Sequence, residues 1–161
     1  MGEVDGGRRS LVVGVDGSEG ARRALEWALE EARMRRLDVC ALGVVPIHLV
    51  ALSVPGYPYA DEHYINDLLT DTQEMVAQAV ADITSSPEVK VTSRAVLGAP
   101  AEALVEASAK AEMLVVGSRG RGGFSGLLLG SVSQQCASHA LCPLVVIRPG
   151  SSEGLANRRS I

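Results

Sequence analysis

The sequence predicts a doubly wound α/β domain: one five-stranded parallel sheet with helices on both faces. Three observations carry this expectation. Short apolar runs recur along the chain and each is stopped by Gly or Pro, as strands buried on both faces should be. The stretches between them place their apolar residues at helical spacing. Strands and helices alternate from one end to the other, which calls for parallel pairing through right-handed crossovers.

The first strand is Ser10-Leu11-Val12-Val13-Gly14-Val15-Asp16, ended by Gly17. Ser18 is placed to cap a helix whose stripe is Ala21, Ala24, Leu25, Ala28, Leu29 and Ala32, with Arg33, Arg35 and Arg36 at the end where cations suit the dipole. Val39 to Val45 is the second strand, stopped by Pro46. Pro46 to Ala60, with Pro55, Gly56 and Pro58, reads as a long loop. Asp61 to Ser85 returns to helical spacing, and Val89 to Leu97 is a third strand. Pro100 opens a helix through Ala101, Leu104, Val105 and Ser108, and Glu112 to Gly117 is a fourth strand. A fourth helix is expected over Gly126 to Leu141, with Leu128, Val132, Gln135, Cys136 and His139 on one side. Pro143 introduces the fifth strand, Leu144 to Ile147. Residues 10–149 therefore form the domain, with 1–9 and 150–161 read as disordered ends; no internal repeat or second domain is visible.

Composition narrows the function classes. Of 161 residues, 47% are apolar and 21% charged, the balance of a globular chain rather than a disordered one. A formal net charge of −4 gives the whole chain no pull towards nucleic acid or an anionic membrane. Aromatics are 3% of the chain, so stacking platforms for single-stranded nucleic acid are scarce. Lys90 and Lys110 are the two lysines, so an anion site must use backbone N–H groups or arginine. Cys40, Cys136 and Cys142 are odd in number and form no CxxC pair, which suits free thiols in a reducing compartment. Met1 to Ser10 has no apolar signal-peptide core, and Val39 to Leu52 is too short and too interrupted to span a bilayer. A cytoplasmic protein is expected.

Chemistry concentrates in Gly117-Ser118-Arg119-Gly120-Arg121-Gly122-Gly123-Phe124-Ser125-Gly126 and the following Leu127-Leu128-Leu129-Gly130-Ser131. The segment leaves a strand and enters a helix. Glycines let backbone N–H groups approach a ligand closely, and a helix N-terminus favours phosphate. Arg119 and Arg121 are charged donors for phosphate oxygens. A surface loop without a ligand is the plainer reading of the same composition. The segment is no Walker loop, because neither lysine falls in it, and Ser125 stands where a dinucleotide fingerprint wants its third glycine. In a doubly wound sheet, ligands bind at the carboxyl ends of the strands, which brings Asp16, Val44 and the loop after Gly117 together. Asp16 also has a simpler role open to it, capping the helix that follows. His139 has no evident nucleophile beside it. His48 and His63 flank the variable loop with only Asp61 and Glu62 between them, so neither a catalytic set nor a metal site is assigned.

Gly117-x-x-Gly120, nine residues, then Gly130-Ser131 resembles the nucleotide-binding signature of the universal stress protein family. Val13-Gly14-Val15-Asp16-Gly17-Ser18, Ala24-Leu25-Glu26-Trp27-Ala28, Gly98-Ala99-Pro100 and His139-Ala140-Leu141-Cys142-Pro143-Leu144-Val145-Val146 resemble other parts of that family in the same order. The resemblance runs from about Ser10 to Arg148. It implies a Rossmann-like sheet in the order 3-2-1-4-5 and membership of the ATP-binding branch. Asp16 would then lie beside adenosine and Val44 would meet the adenine edge through its backbone. Gly117 and Gly120 would hold the ribose and first phosphates, with Gly130, Ser131 and Val132 on the phosphate tail; Arg119 joins this set from its charge and place in the loop. ATP is the first choice of ligand, with AMP, cyclic AMP and an accompanying Mg2+ left open. The resemblance also implies a homodimer through Leu144 to Ile147.

The leading function is therefore an ATP-binding stress-response protein in which occupancy of the site is the signal. A slow ATPase is the alternative; it lacks a Walker lysine and any carboxylate at the end of the fourth strand. On this reading, bulky replacement of Gly117 or Gly130 removes binding and leaves the sheet folded.

Overall fold

The computed structural model describes residues 9–47, 62–83, 88–121 and 128–149. Along the chain these form β1 (Ser10–Gly14), α1 (Glu19–Arg35), β2 (Asp38–Pro46), α2 (Glu62–Ile83), β3 (Val91–Gly98), α3 (Pro100–Ser108), β4 (Met113–Gly117), α4 (Ser131–His139) and β5 (Leu144–Ile147). The sheet is fully parallel in the order β3-β2-β1-β4-β5.

Alternation along the central strands sorts the core into two layers. Leu11, Val13 and Val15 point to one face, where they meet Ala24, Leu25, Ala28 and Ala32 of α1 and Val76 of α2. Val12, Leu42, Leu114 and Val116 point to the other, against Leu104 of α3 and Cys136 of α4. Both faces of β1 and β4 are thus apolar, which is why those strands read as unbroken hydrophobic runs. The helix stripe read from the sequence is the buried face of α1, apart from Leu29, which is half-buried at its edge.

Ser18 caps α1 as expected, its Oγ accepting from the Ala21 N–H at 3.2 Å. The helix stops at Arg36, which adopts the left-handed conformation (φ 57°), unusual for a side chain with Cβ. α2 lies inside its predicted span, whose ends at Asp61 and 84–85 fall outside the described residues, and β3 starts at Val91 rather than Val89 and runs on to Gly98, one residue past the expected Leu97.

The fourth helix differs from expectation. It runs from Ser131 to His139, not from Gly126 to Leu141. Gly130 is extended (φ −75°, ψ 169°) and gives its N–H to the Ser118 carbonyl at 2.7 Å, so the helix begins after it. Leu128 is 71% exposed and covers no core, and Gln135 and His139 are exposed too; Val132 and Cys136 alone of the predicted side carry the packing. At the other end Ala140 turns extended and the Leu141 N–H goes to Ser108 Oγ at 2.9 Å. Residues 1–8, 48–61, 122–127 and 150–161, including His48 and most of the predicted long loop, lie outside the described residues.

Candidate functional site

Because β1 sits beside β4 and their following helices leave to opposite faces, the sheet changes direction between them. The carboxyl ends of β1 and β4 therefore open the crevice where ligands of such folds sit. Asp16 and Gly17 leave β1 there, and Ser118 to Arg121 leave β4. Val44 belongs to the same end: β1 pairs Gly14 with Leu42, so two residues further on Asp16 stands level with Val44.

Asp16 is half-buried and its carboxylate faces two ways. Oδ1 accepts from the Ser18 N–H at 2.9 Å and from Ser18 Oγ at 2.5 Å. Ser18 Oγ in turn accepts from Ala21, so Ser18 is the cap of α1 and Asp16 braces that cap rather than capping the helix itself. Oδ2 accepts from the backbone N–H of Arg121, on the glycine loop, at 3.2 Å. One carboxylate thus joins the β1–α1 turn to the segment after β4.

The first turn of α1 lies directly on the end of β4. A Cβ on Gly117 would stand 2.8 Å from the Gly20 carbonyl carbon, and one on Gly20 would stand 2.7 Å from the Arg119 carbonyl oxygen. Glycine at both positions lets two backbones pass with no room between them. Ser118, 1% exposed, fastens the rest: its N–H donates to the Ile147 carbonyl at 2.8 Å, and its carbonyl accepts from Gly130 N–H at 2.7 Å and Ser133 Oγ at 2.8 Å. The two ends of the glycine loop are held together by this one carbonyl.

Those contacts fix where an anion would be met. Gly130 spends its N–H on Ser118 and, as N-cap, has no side chain to cover the helix end. The first intrahelical bond runs from the Gln134 N–H to the Gly130 carbonyl at 2.9 Å. That leaves the N–H groups of Ser131, Val132 and Ser133 without an intrahelical partner, at the positive end of the helix dipole. Ser131 is exposed beside them, and Arg119 has its Cα 3.5 Å from where a Cβ on Gly130 would be. These donors fit a phosphate group. Among the described residues, no three His, Cys, Asp or Glu side chains form a metal-binding group.

All eight predicted site residues lie at this end of the sheet, although they differ in what their groups are free to do. Val44 has its half-buried side chain packed on the core layer under α3, which leaves its backbone as the group to offer. Ser118 and Ser133, which shape the loop, were not singled out from sequence; the signal was a small polar residue beside Gly117 and another two residues into the helix. A concavity lined by Ala32, Arg33, Arg36, Leu37, Asp38 and Glu88 lies at the opposite end of the sheet. It holds both signs of charge and no helix N-terminus. Burial pushes the pKa of all three thiols up, which disfavours the thiolate, and the cysteines sit in the α3/α4 layer away from the loop.

Residues 7–148 match the model of the universal stress protein family. A universal stress protein of Mycolicibacterium smegmatis is 35% identical over 144 residues, covering 88% of this chain and 46% of its own length. The universal stress protein Rv2623 of Mycobacterium tuberculosis is 36% identical over 144 residues, covering 86% of this chain and 44% of its own. The chain spans about half the length of these curated relatives. Among solved structures, the universal stress protein UspA from Lactobacillus plantarum shares the fold with a TM-score of 0.72 at 20% identity, over 88% of this chain and 98% of its own. A universal stress protein solved in complex with cAMP is 25% identical, with a TM-score of 0.56 over 88% of this chain and 97% of its own.

Proposed function

The chain belongs to the universal stress protein family, and from that premise we propose that it binds an adenine nucleotide, ATP first, at the carboxyl ends of β1, β2 and β4. The observation that carries this reading is the N-terminus of α4 at the switch point of the sheet, where the Ser131, Val132 and Ser133 N–H groups have no intrahelical partner and Gly130 supplies no side-chain cap. These groups, the Ser131 hydroxyl and Arg119 take the phosphates. Gly117 and Gly120 pass close to the ribose, and Asp16 and the Val44 backbone lie on the adenosine side. The relative in complex with cAMP supports an adenine ligand for this fold. Occupancy of the site is the output: a bound nucleotide shifts the population of loop conformations that a partner reads. The chain works in stress response in the cytoplasm as a homodimer. β5 supports the dimer, being an edge strand with four half-buried apolar residues beside a 70% exposed Leu141.

Nucleotide released from the freshly purified, denatured protein is identified by mass spectrometry, and the emptied protein is titrated calorimetrically with ATP and with cyclic AMP. The sharpest variant is Ser131→Pro. Proline is tolerated at the first helical position, and Gly130 already holds the extended backbone that must precede it. The substitution removes one N–H and one hydroxyl and leaves the helix standing. Losing a hydrogen bond to a charged group costs about 1.5–3 kcal/mol, a 10- to 100-fold weaker ATP affinity. Unchanged affinity would remove α4 from the site, and silence of the natural chain towards both nucleotides would sink the reading.

A further inference from the structure

Two glycines on opposite sides of the crevice are each fitted to a charged residue of the other. A Cβ on Gly120 would stand 2.6 Å from Asp16 Oδ2, and a Cβ on Gly17 would stand 2.6 Å from Arg121 Nη2. Asp16 therefore reaches into the space left by Gly120, and Arg121 lays its guanidinium into the space left by Gly17. Between these contacts the Arg121 N–H donates to Asp16 Oδ2 at 3.2 Å. Gly17 has φ +80°, a conformation other residues adopt only with strain, so its turn has two separate reasons to be glycine.

From this reciprocal fit we infer that Asp16 and Arg121 form a latch across the crevice, and that Asp16 is a positioning residue for the segment from Ser118 to Arg121. Its carboxylate already accepts three hydrogen bonds, two from Ser18 and one from Arg121. With about four acceptor positions, a carboxylate so engaged has little left for direct contact. Its influence on a ligand runs through the Arg121 backbone, which sets where the segment after β4 stands. The latch stands on these contacts; its effect on nucleotide affinity rests on the function proposed above.

Asp16→Asn separates the two sides of the carboxylate. An amide has one oxygen, which can keep the two Ser18 bonds, while its NH2 then faces the Arg121 N–H as donor against donor. Amide exchange is followed residue by residue in the ligand-free full chain by NMR. The Arg121 amide is expected to exchange roughly five- to tenfold faster in Asp16→Asn, with the amides of β1 and β4 unmoved. Gly120→Ala, whose Cβ displaces Oδ2 directly, should give the same local change. An Arg121 amide that exchanges alike in all three proteins overturns the latch. For affinity, Asp16→Asn is combined with Arg121→Pro, which removes the donated N–H. Because both break one contact, the double variant should bind ATP no worse than the weaker single variant. Losses that multiply would mean that Asp16 touches the ligand itself. If the natural chain binds no nucleotide, the functional reading fails and the exchange measurement alone decides the latch.

Discussion

Gly117→Ala offers a direct test of how α1 is seated on the sheet. The added methyl would lie 2.8 Å from the Gly20 carbonyl carbon, 2.9 Å from its oxygen and 3.2 Å from the Ala21 nitrogen. All three are backbone atoms in the first turn of α1, so no side chain can swing aside. Relief requires α1 to move off β4, and that helix carries Ala24, Leu25, Ala28 and Ala32 into the core. Overpacking of this kind costs about 1–3 kcal/mol, and rigid backbone on the receiving side places it in the upper half of that range. For a domain of this size that is a fall in Tm of roughly 6–12 °C. Gly98→Ala is the matched control: a Cβ there meets nothing within 4 Å, and the change should be neutral or stabilising by up to ~1 kcal/mol. Both are measured by calorimetry and urea titration without nucleotide. If Gly117→Ala melts with Gly98→Ala, the close approach of the two backbones does not hold α1 in place. The same geometry revises the expectation that Gly117 and Gly130 can both be enlarged harmlessly. A Cβ on Gly130 meets its nearest atoms at 3.5 Å, an ordinary contact, whereas one on Gly117 does not.

Three other outcomes are expected. Arg36→Gly should stabilise the chain by about 0.5–1 kcal/mol, because Arg36 ends α1 at φ 57° and glycine adopts that conformation without strain; chemical denaturation reads it. The Glu19 carboxyl is held at about 2, below its usual 4.5, first by its hydrogen bond to Arg22 and then by that to Arg23. A lowered carboxylate contributes stability above pH 4.5 and loses it as pH falls towards 2, so its NMR titration should be centred near 2 and shift back up in Arg22→Ala. Burial pushes the pKa of Cys40, Cys136 and Cys142 above the ordinary thiol value, so iodoacetamide at pH 8 should label the folded chain slowly, Cys136 slowest, and all three rapidly in urea.

Much of this molecule was legible in one dimension because its signals are local. Val12 and Val13, side by side in a strand, must face opposite layers, and both being apolar announces a sheet covered on two sides. The spacing from Ala21 to Ala32 fixes which side of α1 is buried, and Ser18 before it fixes where the helix begins. The place of Asp16 and of the loop after Gly117 at the carboxyl end of a parallel sheet follows from alternation of strands and helices alone.

The start of α4 was not legible. Apolar residues at 127–129 continue a helical pattern, but the helix waits until Ser131 because Gly130 gives its N–H to Ser118, twelve positions back across the loop. Ser118 and Ser133 look like ordinary small polar residues until the fold sets one carbonyl between two donors. The pairing of Gly17 with Arg121 and of Gly120 with Asp16 spans more than a hundred positions. The sequence determined the strands, the helix faces and the glycines. Which backbone each glycine admits was decided only by tertiary structure, because a missing Cβ shows its purpose only when something occupies the space it leaves.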